Sequence, residues 1–463
     1  MNAHLTAFLC VLIFLVGIPI AAFVWRFFGF PRKGQNKYFR DADGRILLFR
    51  GVNVCNSAKW SPDYLPWHTE KEYAKLIEHG FNVVRFLIFW EAIEPEESKE
   101  NAAYLKKVKE HLAILDKLGI KVILDIHQDL YNRKFTGNGF PDWALPNKEY
   151  PFTPQKKWFM NYLQKAVVES YKYFWKSDRL KKKYIEMVMF VQSYFNDASN
   201  VIGIDVMNEP FPALPSLLLF ERNTLTEFYR YMRYERDGFR SAGKNHNIPL
   251  FVEPAIWTSS GMPSGLASND KISKLFYIPH YYPPFCHYEG VYNWFSKLLM
   301  KIALRSKARE AQKTKSPYII GEFGMSVEVK NRLSGIRDFI KHSNEYHLNW
   351  CWWSYDKMEH STQGLMDNNG NPNTIMMALT HAYPQKIAGV DPVIRLGANN
   401  IIIEYTDDIG YRVPTEVYVP GRVLSVETSN MSFNYDMKAT WQVIKFYNSG
   451  KGKHRIEIKW QSS

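Results

Sequence analysis

After an uncharged apolar stretch at residues 5–25, short runs of β-branched and aromatic residues alternate with longer stretches whose apolar positions recur at helical spacing. Eight such runs stand out, at 46–54, 82–89, 121–127, 201–207, 249–253, 275–280, 318–321 and 349–354. Between them the pattern predicts helices at 71–79, 103–118, 158–175, 225–241 and 333–346. Strands separated by helices pair in parallel through crossovers, and eight of them close most economically into an α/β (β/α)8 barrel, the TIM-barrel arrangement. An open doubly wound sheet is the alternative, but no Gly-rich phosphate turn follows the first run. Past about residue 384 the texture changes. Runs at 393–405, 413–418, 423–427, 440–447 and 454–460 follow one another without a helix, as in a small β-sandwich. The expected division is therefore a hydrophobic segment (1–28), a barrel (29–384) and a C-terminal sandwich (385–463), and 463 residues suffice for both folded units. The sandwich is expected to brace the barrel, with carbohydrate or membrane binding as its alternative role.

The leading segment is either a secretory signal or a membrane span. It is long for a signal core, and Ala21 and Ala22 make a mediocre cleavage site. A cleaved signal implies a secreted, lysosomal or endomembrane-lumen protein. An uncleaved helix followed by Arg26, Arg32 and Lys33 would instead anchor the chain with the barrel in the cytoplasm. The single sequon Asn430-Met431-Ser432 favours the lumen.

Composition sharpens this picture in two respects. An aromatic fraction of 16% serves either a densely packed core or platforms for sugar faces and lipid chains. A net charge of +13 suits an acidic partner such as an anionic membrane or glycan. The basic stretch 297–315 sets Lys301, Arg305 and Arg309 beside Leu298, Ile302 and Ala303, an amphipathic helix whose plain role is a solvated face. No nucleic-acid-binding pattern is present. The four cysteines, Cys10, Cys55, Cys286 and Cys351, suit neither a disulfide framework nor a zinc site.

Chemistry in a (β/α)8 barrel gathers at the C-terminal ends of the strands. Nearly every predicted strand carries a polar or aromatic residue there: Arg85, His127 and Asp129, Asn208 and Glu209, His280 and Tyr282, Glu322, and Trp353. Taken singly, each is an ordinary cap or ion-pair partner; the conjunction points to a site. Glycosidic cleavage needs one carboxylic acid to protonate the leaving oxygen and one carboxylate to receive the anomeric carbon. Glu209 and Glu322, on strands four and seven, can face one another across the mouth. A separation of roughly 5 Å makes the pair retaining. Arg85 and Tyr282 are expected to hold Glu322 ionised. Glu209 is expected in a drier place that raises its pKa, with His280 near enough to tune it. Asn208 suits the sugar 2-hydroxyl and Trp353 a stacking platform. A metal site built on His127, Asp129 and His280 is a poorer use of the same residues, and no metal or other cofactor is expected.

The segments Ile204-Asp205-Val206-Met207-Asn208-Glu209-Pro210, Ile320-Gly321-Glu322-Phe323-Gly324, His280-Tyr281-Tyr282 and Trp352-Trp353-Ser354-Tyr355 resemble the motifs of glycoside hydrolase family 5, clan A. All eight of that family's usual active-site positions are filled here, by Arg85, His127, Asn208, Glu209, His280, Tyr282, Glu322 and Trp353. Within it, Asp125-Ile126-His127-Gln128-Asp129, Lys59 after the first strand and the trailing sandwich most resemble the endoglycoceramidases, over roughly residues 40–460. That resemblance implies hydrolysis between the oligosaccharide and the ceramide of a glycosphingolipid. It carries glucose-binding roles to Lys59, His127, Asp129, Asn208, Tyr282 and Trp353, with Trp158 as an additional sugar contact. A family 5 β-glucosidase acting on glucosylceramide, steryl glucoside or another β-glycoside would share the mechanism, and a non-catalytic glycolipid-binding protein is the remote alternative. A lipid substrate also implies a membrane surface or micelle met through an apolar rim at 211–220, and an activator protein as a candidate partner.

Overall fold

The computed structural model describes residues 37–212, 217–242, 247–266, 272 and 275–461. The expected signal or anchor at 1–28 and residues 213–216 of the expected rim fall outside them. Eight parallel strands form the barrel: Arg50–Val54, Val83–Ile88, Lys121–Ile126, Val201–Asp205, Leu250–Val252, Phe276–Tyr277, Ile319–Phe323 and Asn349–Trp352. They pair in chain order, the eighth returning to the first, and a bridge from Tyr277 to Tyr318 joins the sixth to the seventh. Most are buried along their whole length, which is why they read as apolar runs rather than as alternating ones.

The alternation survives inside the barrel and positions the site. Val83, Ile123, Phe251, Ile278, Ile319 and Cys351 meet Phe39 and Phe49 in one apolar cluster that plugs the barrel floor. Side chains recur on one face of a strand every two residues. The next inward positions are therefore Arg85, Asp125, Glu253, His280, Gly321 and Trp353, a polar layer set on an apolar one. Gly203 makes room for the plug: a β-carbon there would lie 1.9 Å from a ring carbon of Phe251. Glu322 is out of phase with this count and is re-aimed by a register shift. Between paired positions the seventh strand advances from Ile320 to Phe323 while the eighth advances from Trp350 to Trp352.

The antiparallel unit differs from expectation in its make-up. Its six-stranded sheet takes Phe39–Arg40 and Ile46–Leu47 from the front of the chain together with Tyr383–Ile387, Thr415–Pro420, Trp441–Asn448 and Met431–Asn434. A four-stranded sheet of Val390–Leu396, Asn400–Asp407, Gly452–Gln461 and Arg422–Thr428 faces it over a common core. The predicted run at 46–54 is thus two strands in different sheets. The run at 393–405 is a hairpin, closed where the Gly397 N–H donates to the Asn400 carbonyl at 2.8 Å. The predicted helix at 158–175 is likewise two pieces, a 3-10 turn Trp158–Leu163 and the helix Lys165–Lys176.

Candidate active site

Arg85, fully buried on the second strand, organises the mouth of the barrel. Its Nη1 donates to Glu322 Oε1 at 2.7 Å and to Asn53 Oδ1 at 3.0 Å. Nη2 reaches Asp205 at 2.7 Å, Glu253 at 2.8 Å, Asn208 Oδ1 at 2.9 Å and Asp125 at 2.9 Å. A guanidinium is the one side chain that can offer so many donors in a fixed plane without losing its charge.

Glu322 receives that charge on one oxygen and the Tyr282 hydroxyl, at 2.6 Å, on the other. Burial alone would raise its pKa, but His280 first and Arg85 next outweigh burial and hold it below the ordinary carboxylate value. His280 lies among three carboxylates, with Nδ1 3.0 Å from Glu209 and 3.5 Å from Glu322, and Nε2 3.0 Å from Glu253. Burial would lower its pKa; Glu253, then Glu322 and Glu209, drive it well above the usual imidazole value.

Glu209 faces Glu322 across His280. One oxygen of each carboxylate and Nδ1 or Nε2 of that imidazole all lie within 4.8 Å of one another. Glu209 Oε1 also accepts from the Ser259 hydroxyl at 2.8 Å. Its φ is 39°, a conformation that costs a residue with a β-carbon roughly 1–3 kcal/mol, and its N–H is tied at 2.8 Å to Glu253 Oε2. With 12% of its side chain exposed against 6% for Glu322, Glu209 is the wetter of the two. The drier setting expected for the acid is therefore not built by protein alone.

Beside the pair lies a second cluster. Lys59 Nζ donates to Asp129 Oδ2 at 2.6 Å and sits 4.1 Å from the Trp353 ring centre. His127 bridges Asp125 at 2.6 Å and Asp129 at 3.2 Å while stacking on Trp353 at 5.5 Å. Burial would raise the Asp129 pKa, yet Lys59 and His127 hold it well below the usual range. A lysine amine, an imidazole, a carboxylate and an indole face thus line one wall. Such a wall can donate to and accept from ring hydroxyls and pack against a flat C–H face.

Every predicted site residue except Trp158 belongs to this connected network. Trp158 stands one residue away, packed at 5.5 Å on Tyr162, whose hydroxyl donates to Asp129 Oδ1 at 3.3 Å. The motifs assigned no role to Asn53, Asp125, Asp205, Glu253 or Ser259, which complete the cage around Arg85, His280 and Glu209. Glu253 could have been found, since it ends the fifth predicted strand at the same level as the others. The expected rim at 211–220 is partly corrected. Phe211 and Phe220 are buried, on Tyr162 at 4.9 Å and Trp175 at 5.0 Å, because the aromatic wall made by the 3-10 turn Trp158–Leu163 and the helix Lys165–Lys176 takes them. Leu219 is 54% exposed.

A family model described as cellulase, glycosyl hydrolase family 5, matches residues 40–359. Endoglycoceramidase I of Rhodococcus hoagii (strain 103S) is 25% identical over 403 residues, covering 82% of this chain and 77% of that one. The endoglycoceramidase of Cyanea nozakii is 25% identical over 404 residues and 75% of each chain. Among solved structures, endo-glycoceramidase II from Rhodococcus sp. in complex with ganglioside GM3 superposes with a TM-score of 0.81 at 26% identity, over 92% of this chain and 100% of that one. The same protein has also been solved as a lactosyl-enzyme intermediate, with a TM-score of 0.80.

Proposed function

The chain belongs to glycosyl hydrolase family 5, and from that premise we propose that it is a retaining endo-β-glycosidase cleaving between oligosaccharide and ceramide in glycosphingolipids. The observation that carries this is the approach of the Glu209 and Glu322 carboxylates to within 4.8 Å astride His280. Retaining pairs stand about 5–5.5 Å apart, whereas an inverting pair needs a wider gap to admit water. In the first step the ionised Glu322 attacks the anomeric carbon while Glu209 gives its proton to the departing ceramide oxygen. In the second, Glu209 takes a proton from water as that water breaks the glycosyl ester, freeing the oligosaccharide and restoring both groups. Lys59, Asp129 and His127 hold the sugar hydroxyls, and Trp353 lies under the ring. The Asn208 Nδ2, which gives one hydrogen to the Gln128 carbonyl, keeps the other for the 2-hydroxyl.

The lipid half of the substrate calls for an apolar rim and a membrane or micelle. Trp60 beside Lys59, Leu219 in the helical turn Leu217–Phe220 after Glu209, and Phe285 after Tyr282 are 56%, 54% and 80% exposed, all in segments that follow barrel strands at the catalytic end. The compartment we assign is the secretory lumen or the exterior, in keeping with an apolar leader and with Asn430 exposed at a turn. Glycosidase treatment of the expressed protein would then raise its gel mobility, and Asn430→Gln would abolish that change.

Mass spectrometry of the products from ganglioside, lactosylceramide, glucosylceramide and cellulose, each with and without detergent or activator protein, tests the assignment. Intact oligosaccharide plus ceramide is expected from the first two. Turnover of glucosylceramide alone would refute the endo-acting assignment and leave a β-glucosidase.

A further inference from the structure

Glu209 is held by one of its two oxygens. Oε1 takes the Ser259 hydroxyl at 2.8 Å and His280 Nδ1 at 3.0 Å. Oε2 has no hydrogen-bond partner among the described residues, yet it is not one of the unpartnered atoms sealed in the interior, and 12% of the side chain is exposed. The two oxygens of the acid/base are therefore unequal before any substrate arrives.

Ser259 is fixed where it stands by groups that take no part in the chemistry. It lies in the 3-10 turn Ile256–Ser260, which follows the fifth barrel strand. Two buried carboxylates pin the segment around that turn. Glu221 accepts from the Ala255 N–H at 2.9 Å and the Gly265 N–H at 2.6 Å, and Glu310 accepts from the Ser264 N–H at 2.8 Å. Gly261 closes the turn at a φ of 91°, where a β-carbon would come 2.9 Å from that of Ala303 on the helix Trp294–Thr314. The Ser259 carbonyl in turn accepts the Tyr282 N–H at 2.6 Å, and the Tyr282 hydroxyl rests on Glu322. One residue thus touches the acid/base through its side chain and the nucleophile's partner through its backbone.

We propose that Ser259 is a positioning residue for Glu209: with His280 it occupies Oε1, so that the proton to be transferred is carried on Oε2. The inference rests on the two-glutamate glycosidase reading. In the first step the Oε2–H bond breaks and its proton joins the leaving oxygen, which keeps the electron pair of the broken glycosidic bond. Glu209 is left a carboxylate, and the Ser259 hydroxyl and the imidazole donate to the charge on Oε1. Removing that hydroxyl should slow cleavage in proportion to how much the leaving group needs a proton.

The test compares kcat/KM of Ser259→Ala and wild type on lactosylceramide, whose alkoxide leaves poorly, and on dinitrophenyl β-lactoside, which departs without protonation. This constant is set before the glycosyl ester is hydrolysed, so the base role of Glu209 does not enter it. Ser259→Ala should lose roughly 10- to 100-fold on lactosylceramide and less than about threefold on the dinitrophenyl substrate. Partial unfolding lowers both rates alike and leaves their ratio intact. Ser260→Ala, in the same turn but exposed and bonded to the Trp257 carbonyl at 2.7 Å, should change neither rate. An equal loss on the two substrates, or no loss on lactosylceramide, overturns the proposal. Wild-type protein that cleaves neither substrate would instead refute the glycosidase reading beneath it.

Discussion

Glu322 owes its ionisation to named neighbours, so its loss and theirs should differ in kind. Glu322→Gln keeps the shape and removes the nucleophile; turnover should fall by on the order of a thousandfold or more, with glycolipid binding retained. Initial rates and a liposome pull-down on the same preparation check both halves. His280→Asn instead leaves the nucleophile and removes the largest of the charges that lower its pKa. The working form is the anion, so protonation of Glu322 should then set in at higher pH. The acid limb of kcat/KM should move up, and an unmoved limb would show that His280 does not tune the pair. The residues gathered around Arg85 and His280 were legible in the sequence because polar groups at successive strand ends have little structural excuse for occurring together. Asp125 and Asp205 were not, since a carboxylate inside a strand declares no partner until Arg85 is seen 2.9 Å and 2.7 Å away. Ser259 lay beyond reach for another reason: it sits in a 3-10 turn, Ile256–Ser260, too short to show periodicity, and only the fold brings it to Glu209.

Among the elements, the eight barrel strands could be read because burial on both faces makes each an apolar run, and helical periodicity separates them. What could not be read was where one sheet hands over to another. Residues 46–54 read as one run, broken only by Arg50, Gly51 and Asn53, yet Ile46–Leu47 pairs with Tyr383–Ile387 in the outer sheet and Arg50–Val54 with the barrel. No local pattern marks that change of partner, because both sheets ask for the same residue types. The layer order of the barrel yields a test. A β-carbon at Gly203 would fall 1.9 Å from Phe251 in the plug beneath the polar layer. Gly203→Ala should cost about 1–3 kcal/mol in urea unfolding. Paired with Phe251→Leu it should recover part of that loss, because the smaller side chain vacates the contested space. Glu221 works between loops: its carboxylate accepts from the Ala255 N–H at 2.9 Å and the Gly265 N–H at 2.6 Å, in the stretch that carries Ser259. Glu221→Ala strands both donors and should cost about 2–5 kcal/mol, with Glu221→Gln milder because one acceptor oxygen survives.

At the scale of the whole molecule, the two units share their floor. Arg50, fully buried at the start of the first barrel strand, donates to the Leu348 carbonyl at 2.8 Å and to Asn344 Oδ1 at 2.7 Å. Its guanidinium lies 5.1 Å from the ring of Tyr383, on an outer-sheet strand. Tyr383 and Tyr418 donate in turn to the Gly80 and Glu78 carbonyls at 2.6 Å and 2.7 Å, on the barrel side of the seam. Arg45, from the front of the chain, pairs with Glu416 at 2.9 Å. Cutting the chain at residue 384 would therefore not release a finished barrel. It would strip Ile46, Leu48 and Tyr383 of the apolar core they now share with Val417, Tyr418 and Ile444, and leave the strand Ile46–Leu47 paired only with Phe39–Arg40. The expected outcome is that the full chain melts in one transition, whereas a chain ending at 384 aggregates or melts far lower and has lost activity. Scanning calorimetry and turnover on the two proteins check this; a truncated chain with an unchanged melting temperature and full activity would mean that the sandwich contributes nothing to holding Arg85, Glu209 and Glu322 in place.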